Sequence, residues 1–240
     1  DLLRGRLSWS GSLTFPEIEL KPFGPVLQGG TMKLVLETPD TDPSINAWVQ
    51  GSAERPVSFF PSEEKTYRAL SGFDVASKPG EYLLTVEVMS EGGAVTRLKT
   101  PFQLEPVQWK TGAVYLTASK GTIFQPSERK KAERRELSEI LMRISKKQLW
   151  NGSFIFPIPD PYVVSEFGKK RTYYVNGKRT SVSFHRGIDL RGAIGQNVYA
   201  AGDGVVVFAG ERLTSGNTVV IDHGQGVFTL YFHLDSMTVS

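Results

Sequence analysis

His185-Arg186-Gly187-Ile188-Asp189 is the stretch that decides how the last quarter of this 240-residue chain folds. On a straight strand, a histidine and an aspartate four residues apart are separated by roughly 13 Å, too far to share one ion. A helix would bring them together, but the glycines at and after position 187 disfavour one. The remaining solution is a bend at residues 186–187, which Gly187 permits because it lacks a Cβ. We therefore expect His185 in a loop and Asp189 at the start of the next strand.

The chemistry of this pair indicates a particular metal. A neutral imidazole with one carboxylate suits zinc better than calcium or magnesium, which prefer oxygen ligands alone. A single carboxylate leaves the site with net positive charge, which favours deprotonation of a bound water and polarisation of a carbonyl. A catalytic zinc site with one open position needs a third protein ligand. By itself the spacing is a weak signal, and its sequence context has to support it.

Three further segments accompany the pair in a fixed order. Ser165-Glu166-Phe167-Gly168 precedes it, and residues 195–206 follow it with the pattern Gly-x-x-Val-x-Ala-x-x-x-Gly-x-Val. Tyr231-Phe232-His233-Leu234 comes last. As a set, over residues 160–240, these segments resemble the lysostaphin-type (LytM-like) zinc metallopeptidases, which cut the peptides of peptidoglycan.

The resemblance implies roles for individual residues. His185 and Asp189 match the family's His-x-x-x-Asp zinc ligands. His233 matches the histidine of the Tyr-x-His-Leu segment, which helps to activate water or to stabilise the oxyanion, and is the implied catalytic residue. His223 matches a histidine that is not a ligand, and we expect it to be structural. The implied cofactor is Zn²⁺, the implied partners are peptidoglycan peptides, and the implied location is the periplasm or cell envelope after export.

The third zinc ligand of the family lies in a His-x-His motif beyond the Tyr-x-His-Leu segment. No His-x-His occurs up to Ser240, so we expect a metallopeptidase domain that is truncated at its C-terminal end. The alternative is a natural zinc-poor variant: a catalytically inactive family member that binds and activates other cell-wall hydrolases. Bound zinc distinguishes the two readings.

The whole chain predicts a mainly β fold in three parts. Residues 1–125 indicate a β-sandwich that loosely resembles immunoglobulin-like modules, because segments such as Met32–Leu36 and Tyr82–Val88 alternate between turn signals. Residues 126–150 indicate a connecting amphipathic helix. Residues 151–240 indicate the incomplete, antiparallel β metallopeptidase domain.

Local patterns support the last two parts. An apolar stripe at helical spacing predicts the helix over residues 127–149, with Ser127 as its N-cap. Asn176-Gly177 predicts a hairpin within Tyr173–Arg179. The stripe consists of Leu137, Ile140, Leu141 and Ile144. Three later strands are predicted at residues 205–208, 218–221 and 227–231.

Composition excludes several classes of protein. No apolar run approaches the about 20 residues of a transmembrane segment. The chain has no cysteine, which excludes disulfides and thiolate metal sites. Its positive excess lies in residues 126–150, with eight basic and four acidic groups, rather than across a broad face that would bind nucleic acid.

Two further functions can be weighed from the sequence. A biotinyl- or lipoyl-carrier domain is excluded because residues 181–240 contain no lysine. A carbohydrate-binding β protein stays open, with Trp9, Trp48 and Trp109 as residues that could stack on sugars, although packing is the commoner role of such aromatics.

Overall fold

The structure is a computed structural model that describes residues 19–22, 25–121 and 124–239. The chain divides into two compact units, Asp1–Gln108 and Trp109–Ser240. Both are built mainly of β-strands, which confirms the predicted fold class. Neither helix of the described residues has the length and apolar character needed to cross a membrane.

The described residues of the first unit form two sheets. In the described part of this unit the strands are β1 (Glu19–Pro22), β2 (Val26–Leu27), β3 (Thr31–Glu37), β4 (Ser44–Gln50), β5 (Arg55–Pro56), β6 (Phe60–Glu63), β7 (Thr66–Gly72), β8 (Gly80–Met89) and β9 (Val95–Glu105). One sheet has the order β1-β3-β7-β6, and the other has the order β2-β9-β8-β4-β5.

Alternation along the strands builds the core of this unit. Met32 and Leu34 on β3 are buried and alternate with more accessible residues, because successive side chains of a strand point to opposite faces. Leu84 and Val86 on β8, in the other sheet, are buried in the same hydrophobic cluster. Two sheets that share one core form the expected sandwich. The likeness to immunoglobulin modules stays a prediction.

Two of the three tryptophans that could stack on sugars lie within the described residues. Trp9 lies outside the described residues. Trp48 is half-buried on β4, and Trp109 is half-buried at the start of the second unit. Trp109 meets the ring of Phe167 edge to face, with the ring centroids 5.9 Å apart, so at least this tryptophan has a packing role.

The second unit begins before the predicted boundary at residue 125. Its described elements are β10 (Thr111–Leu116), α1 (Ala118–Gly121), α2 (Glu128–Leu141), β11 (Val163–Ser165), β12 (Lys170–Val175), β13 (Lys178–Phe184), β14 (Asp189–Leu190), β15 (Val205–Arg212), β16 (Gly216–Gly224) and β17 (Val227–Leu234). Strand β10 belongs here because it pairs in parallel with β12, the central strand of the sheet β10-β12-β13.

The hairpins predicted for this unit are confirmed. Asn176 and Gly177 both have positive φ, 49° and 76°, and connect β12 to β13 as a type I′ turn requires. The three later strands form an antiparallel sheet in the order β15-β16-β17. They extend beyond the predicted ranges at their ends, where a sequence pattern is least informative.

Helix α2 is shorter than predicted. The Ser127 hydroxyl accepts a hydrogen bond from the Lys130 amide at 3.2 Å, which confirms the predicted N-cap. The helical prediction for residues 142–149 is wrong, and Ile144 is exposed rather than part of a buried stripe. The physical reason is tertiary: the amide of Leu149 donates to the carbonyl of His223 at 2.8 Å, so this segment follows strand β16 instead.

Helix α2 is attached to the turn between β15 and β16 through Glu133. Its carboxylate accepts from the Leu213 amide at 3.0 Å and from Arg129 Nε at 2.8 Å. The buried Arg212 guanidinium donates to the Glu133 carbonyl at 2.7 Å. Burial alone would raise the pKa of Glu133, but the hydrogen bonds and the two arginine charges outweigh it and hold that pKa below its usual value.

We expect Glu133→Gln to destabilise the second unit by about 1 kcal/mol at pH 7, because it loses hydrogen bonds to a charged acceptor. A lowered folded-state pKa gives stability that is present above the unfolded pKa and is lost as pH falls through the folded value. The deficit of the variant, measured by urea unfolding, should therefore shrink as the pH is lowered through the folded-state pKa of Glu133. Glu139→Gln, on the same helix with an exposed carboxylate, is the matched control, and a deficit that persists in acid would contradict the assignment.

Candidate active site

The predicted bend brings His185 and Asp189 together. His185 follows β13, and Asp189 opens β14, which pairs antiparallel with β11 so that Asp189 lies opposite Ser165. Nε2 of His185 is 3.1 Å from Oδ1 of Asp189. Four residues of chain that would span a large distance on a straight strand are thus folded back on themselves, as Gly187 permits.

Backbone groups hold the His185 ring in one orientation. Its Nδ1 is 3.0 Å from the carbonyl oxygen of Glu166, and since a carbonyl only accepts, Nδ1 carries a proton. The His185 amide donates to the Lys169 carbonyl at 2.9 Å, and the Gly168 amide donates back to the His185 carbonyl at 2.8 Å. The ring therefore directs Nε2 toward Asp189.

Arg171 fixes the carboxylate of Asp189. Its Nη2 donates to Asp189 Oδ2 at 2.6 Å and to the Ser165 hydroxyl at 2.8 Å. Oδ1 is left to face His185 while Oδ2 is tied to the sheet. No local motif in the sequence identifies Arg171. The contact of Arg171 with Asp189 depends on the register of β12 against its neighbouring strands, and a local motif does not reveal that register.

Arg171→Ala should weaken zinc binding by about 10- to 100-fold, the usual effect of removing a hydrogen-bond partner of a metal ligand. Arg171→Lys should recover only part of this loss, because a lysine cannot present two donors in a planar fork. The measurement is competition for zinc against a chromophoric chelator. Arg179→Ala removes the same charge at an exposed position of β13 and should leave the zinc affinity unchanged. If both variants lose affinity equally, the loss comes from the change in net charge and not from the contact with Asp189.

The other two histidines differ sharply in environment. His223 is fully buried, with Nδ1 2.7 Å from the Asp203 carbonyl and Nε2 2.8 Å from the Thr229 hydroxyl. The expected structural role of His223 is therefore confirmed. His233 is exposed near the end of β17 with a positive φ of 58°, and its amide donates to the Ser215 carbonyl. In the described part of the chain, neither a hydrogen bond nor an ion pair links the His233 ring to His185 or Asp189.

The comparisons with known proteins address this part of the chain. Residues 183–240, which contain the histidine–aspartate pair, match the sequence profile of Peptidase family M23. Residues 183–240 are therefore called the M23 segment. The predicted resemblance to lysostaphin-type peptidases is confirmed.

The sequence relatives of this chain include proteins of two kinds. Over 86 residues, or 35% of this chain, the sequence is 36% identical to Peptidoglycan DD-endopeptidase ShyB of Vibrio cholerae. Over 56 residues, or 23% of this chain, it is 41% identical to Murein hydrolase activator NlpD of Salmonella dublin. The matches cover 20% and 15% of those relatives, so the chain spans about a fifth of their length or less.

A solved structure supports the fold. A crystal structure from Pseudomonas aeruginosa assigned to peptidase M23 aligns with 90% of this chain and 77% of its own, with a TM-score of 0.58 and 22% identity. This likeness shows a shared fold.

The M23 segment presents a pair that fits zinc. Two atoms at about 2 Å from one tetrahedral ion lie roughly 3.3 Å apart, and Nε2 and Oδ1 are separated by 3.1 Å. With the proton on Nδ1, Nε2 of His185 faces a carboxylate oxygen of Asp189, and a cation could bind both atoms. Among residues 19–22, 25–121 and 124–239, no group of three or more His, Asp or Glu side chains is placed to hold a metal. The pair would therefore supply two of the three protein ligands that an open zinc site needs.

Proposed function

We propose that this chain is part of a zinc-dependent endopeptidase that hydrolyses peptide bonds of peptidoglycan, in stem peptides or cross-bridges. The observation that carries the proposal is the convergence of His185 Nε2 on Asp189 Oδ1 in a segment of the M23 family. The printed function of ShyB, a peptidoglycan DD-endopeptidase, supports the choice of substrate. The protein would then act in the cell envelope, outside the cytoplasmic membrane.

His185 and Asp189 are the residues that would hold the ion. Bound zinc would polarise the scissile carbonyl and lower the pKa of a bound water toward about 7. The Glu166 carbonyl keeps the lone pair of His185 Nε2 available, and Arg171 prevents the Asp189 carboxylate from rotating away. Both contacts are made by groups of the chain itself and restrain the two side chains, which lowers the cost of assembling the site.

His233 is the proposed catalytic residue among those described. Its side chain is exposed, and an imidazole can both donate and accept a proton near neutral pH. In its protonated form it would donate a hydrogen bond to the oxyanion of the tetrahedral intermediate. We expect His233→Asn to lower the turnover and to leave zinc binding intact.

A second function has one observation in its favour. NlpD, a murein hydrolase activator, is 41% identical over the segment that it shares with this chain. The alternative is therefore an inactive protein that binds and activates other cell-wall hydrolases. The pair His185 and Asp189 favours the enzyme, because an activator has no need for two convergent metal donors.

The test is digestion of purified peptidoglycan by the full-length product of the gene, followed by mass spectrometry of the released fragments. The proposal predicts new amino and carboxyl termini within the peptide part, loss of this product on chelation, and recovery on addition of zinc. Asp189→Asn should give no product. If the wild-type protein releases nothing alone but accelerates a separate hydrolase, the activator is correct and the enzyme is not.

A further inference from the structure

The carbonyl that orients His185 belongs to the turn Ser165–Gly168, between β11 and β12. Residues far upstream in the sequence pack against this turn. The ring of Trp109 meets the ring of Phe167 edge to face at 5.9 Å. A Cβ built on Gly168 would lie only 1.9 Å from Cε3 of Trp109, so the indole lies directly on the backbone of the turn. Gly168 also has a φ of 79°, which favours glycine.

Lys110 adds two contacts to the same turn. Its Nζ is 2.5 Å from Glu166 Oε1, and its carbonyl accepts from the Lys170 amide at 2.8 Å. The parallel ladder of β10 with β12 begins at the next residue, Thr111 opposite Lys170. The ion pair is exposed on both sides and contributes little by itself. The packing of Trp109 on Gly168 and the backbone hydrogen bonds between β10 and β12 therefore carry most of the restraint.

We infer that Trp109, assisted by Lys110, is a positioning residue for His185. The indole and the ladder fix the turn, the turn fixes the Glu166 carbonyl, and that carbonyl holds the proton on Nδ1 and directs Nε2 toward Asp189. This inference rests on the proposed function, because orientation of Nε2 matters to catalysis only if His185 binds the ion. Trp109 lies well before the segment that matches the M23 profile, residues 183–240, so the functional unit would begin at the start of the second compact unit.

The experiment compares Trp109→Ala with Trp150→Ala in the otherwise unchanged protein. Trp150 is the matched control because it is also half-buried in the second unit, but it packs against Phe154, with centroids 6.1 Å apart. Two quantities are measured: zinc affinity by competition with a chelator, and the tautomer of His185 in the metal-free protein from its ring ¹⁵N chemical shifts. We expect Trp109→Ala to weaken zinc binding about tenfold and to reduce the Nδ1–H form. Trp150→Ala should change neither, even where it lowers the melting temperature as much.

A second set of variants covers the case in which Trp109→Ala does not fold. Gly168→Ala introduces the Cβ that the indole excludes, and Trp109→Phe leaves more room over the turn. If the indole holds the turn, the loss of zinc affinity from Gly168→Ala should be several-fold smaller in the Trp109→Phe background than in the wild type. Additive losses would overturn the inference.

The outcomes separate this inference from the proposed function. If the wild type binds no zinc, the proposed function fails. The ¹⁵N shifts of the His185 ring still decide whether Trp109 orients that ring. If zinc binds and Trp109→Ala changes neither the affinity nor the tautomer, the positioning role is wrong while the enzyme proposal stands.

Discussion

Replacing His185 with alanine is expected to weaken zinc binding by about 100- to 1000-fold. Four-ligand zinc sites bind with about 10–16 kcal/mol, or roughly 2.5–4 kcal/mol for each ligand, and each 1.4 kcal/mol is a factor of ten in affinity. The side chain of His185 is 13% exposed, so the variant leaves a void beside Asp189 that water can fill, but water is a weaker and less restrained ligand. Elemental analysis of the dialysed protein and chelator competition measure the loss.

The matched control for this variant is His233→Asn. It also removes one imidazole, in this case an exposed one, and asparagine tolerates the positive φ of 58° at position 233. We expect it to keep the zinc affinity of the wild type. Equal zinc binding by the wild type and His185→Ala would show that His185 is not a ligand and would remove the observation on which the enzyme proposal depends.

The geometry of the pair was predictable because it depends on local chain stereochemistry. A histidine and an aspartate that must converge over four residues, with a glycine between them, leave few solutions other than a bend. The residues that support the pair were not predictable in this way. Arg171 reaches Asp189, and Trp109 reaches Gly168, only through strand pairings between distant parts of the sequence. No spacing in the sequence specifies which strands become neighbours.

The same contrast applies to the fold. The Asn176-Gly177 hairpin was predictable because its turn chemistry lies within two residues. Strand β10 was assigned to the N-terminal module because a sequence pattern marks a strand without naming its partner, and the partner is β12. The predicted helix is too long because the apolar residues after Leu141 keep helical spacing. In the structure, hydrogen bonds between residues 145–149 and strand β16 with its turn replace the helical ones. Tertiary pairing outweighs local propensity at both places.

His223 is the residue whose loss should most damage the second unit. Both ring nitrogens have partners, the Asp203 carbonyl and the Thr229 hydroxyl, and the side chain is fully buried on β16. The ring of Phe154 meets it edge to face at 4.8 Å. Alanine would open a cavity and remove the imidazole that bonds the Asp203 carbonyl and the Thr229 hydroxyl, a combination that costs more than either defect alone.

We expect His223→Ala to lower the free energy of unfolding of the second unit by about 3–5 kcal/mol. Because the chain has two units, the midpoint of one unfolding curve combines the transitions of both. Hydrogen exchange of the buried segment Val219–Ile221 reports on the second unit alone and is the sharper measurement. Protection there should fall by more than about 100-fold, while amides of strand β8 in the first unit keep theirs. His233→Asn again serves as the control. Unchanged protection in His223→Ala would mean that the hydrogen bonds to Asp203 and Thr229 do not hold the sheet, and that His223 is free for a role other than the structural one assigned to it.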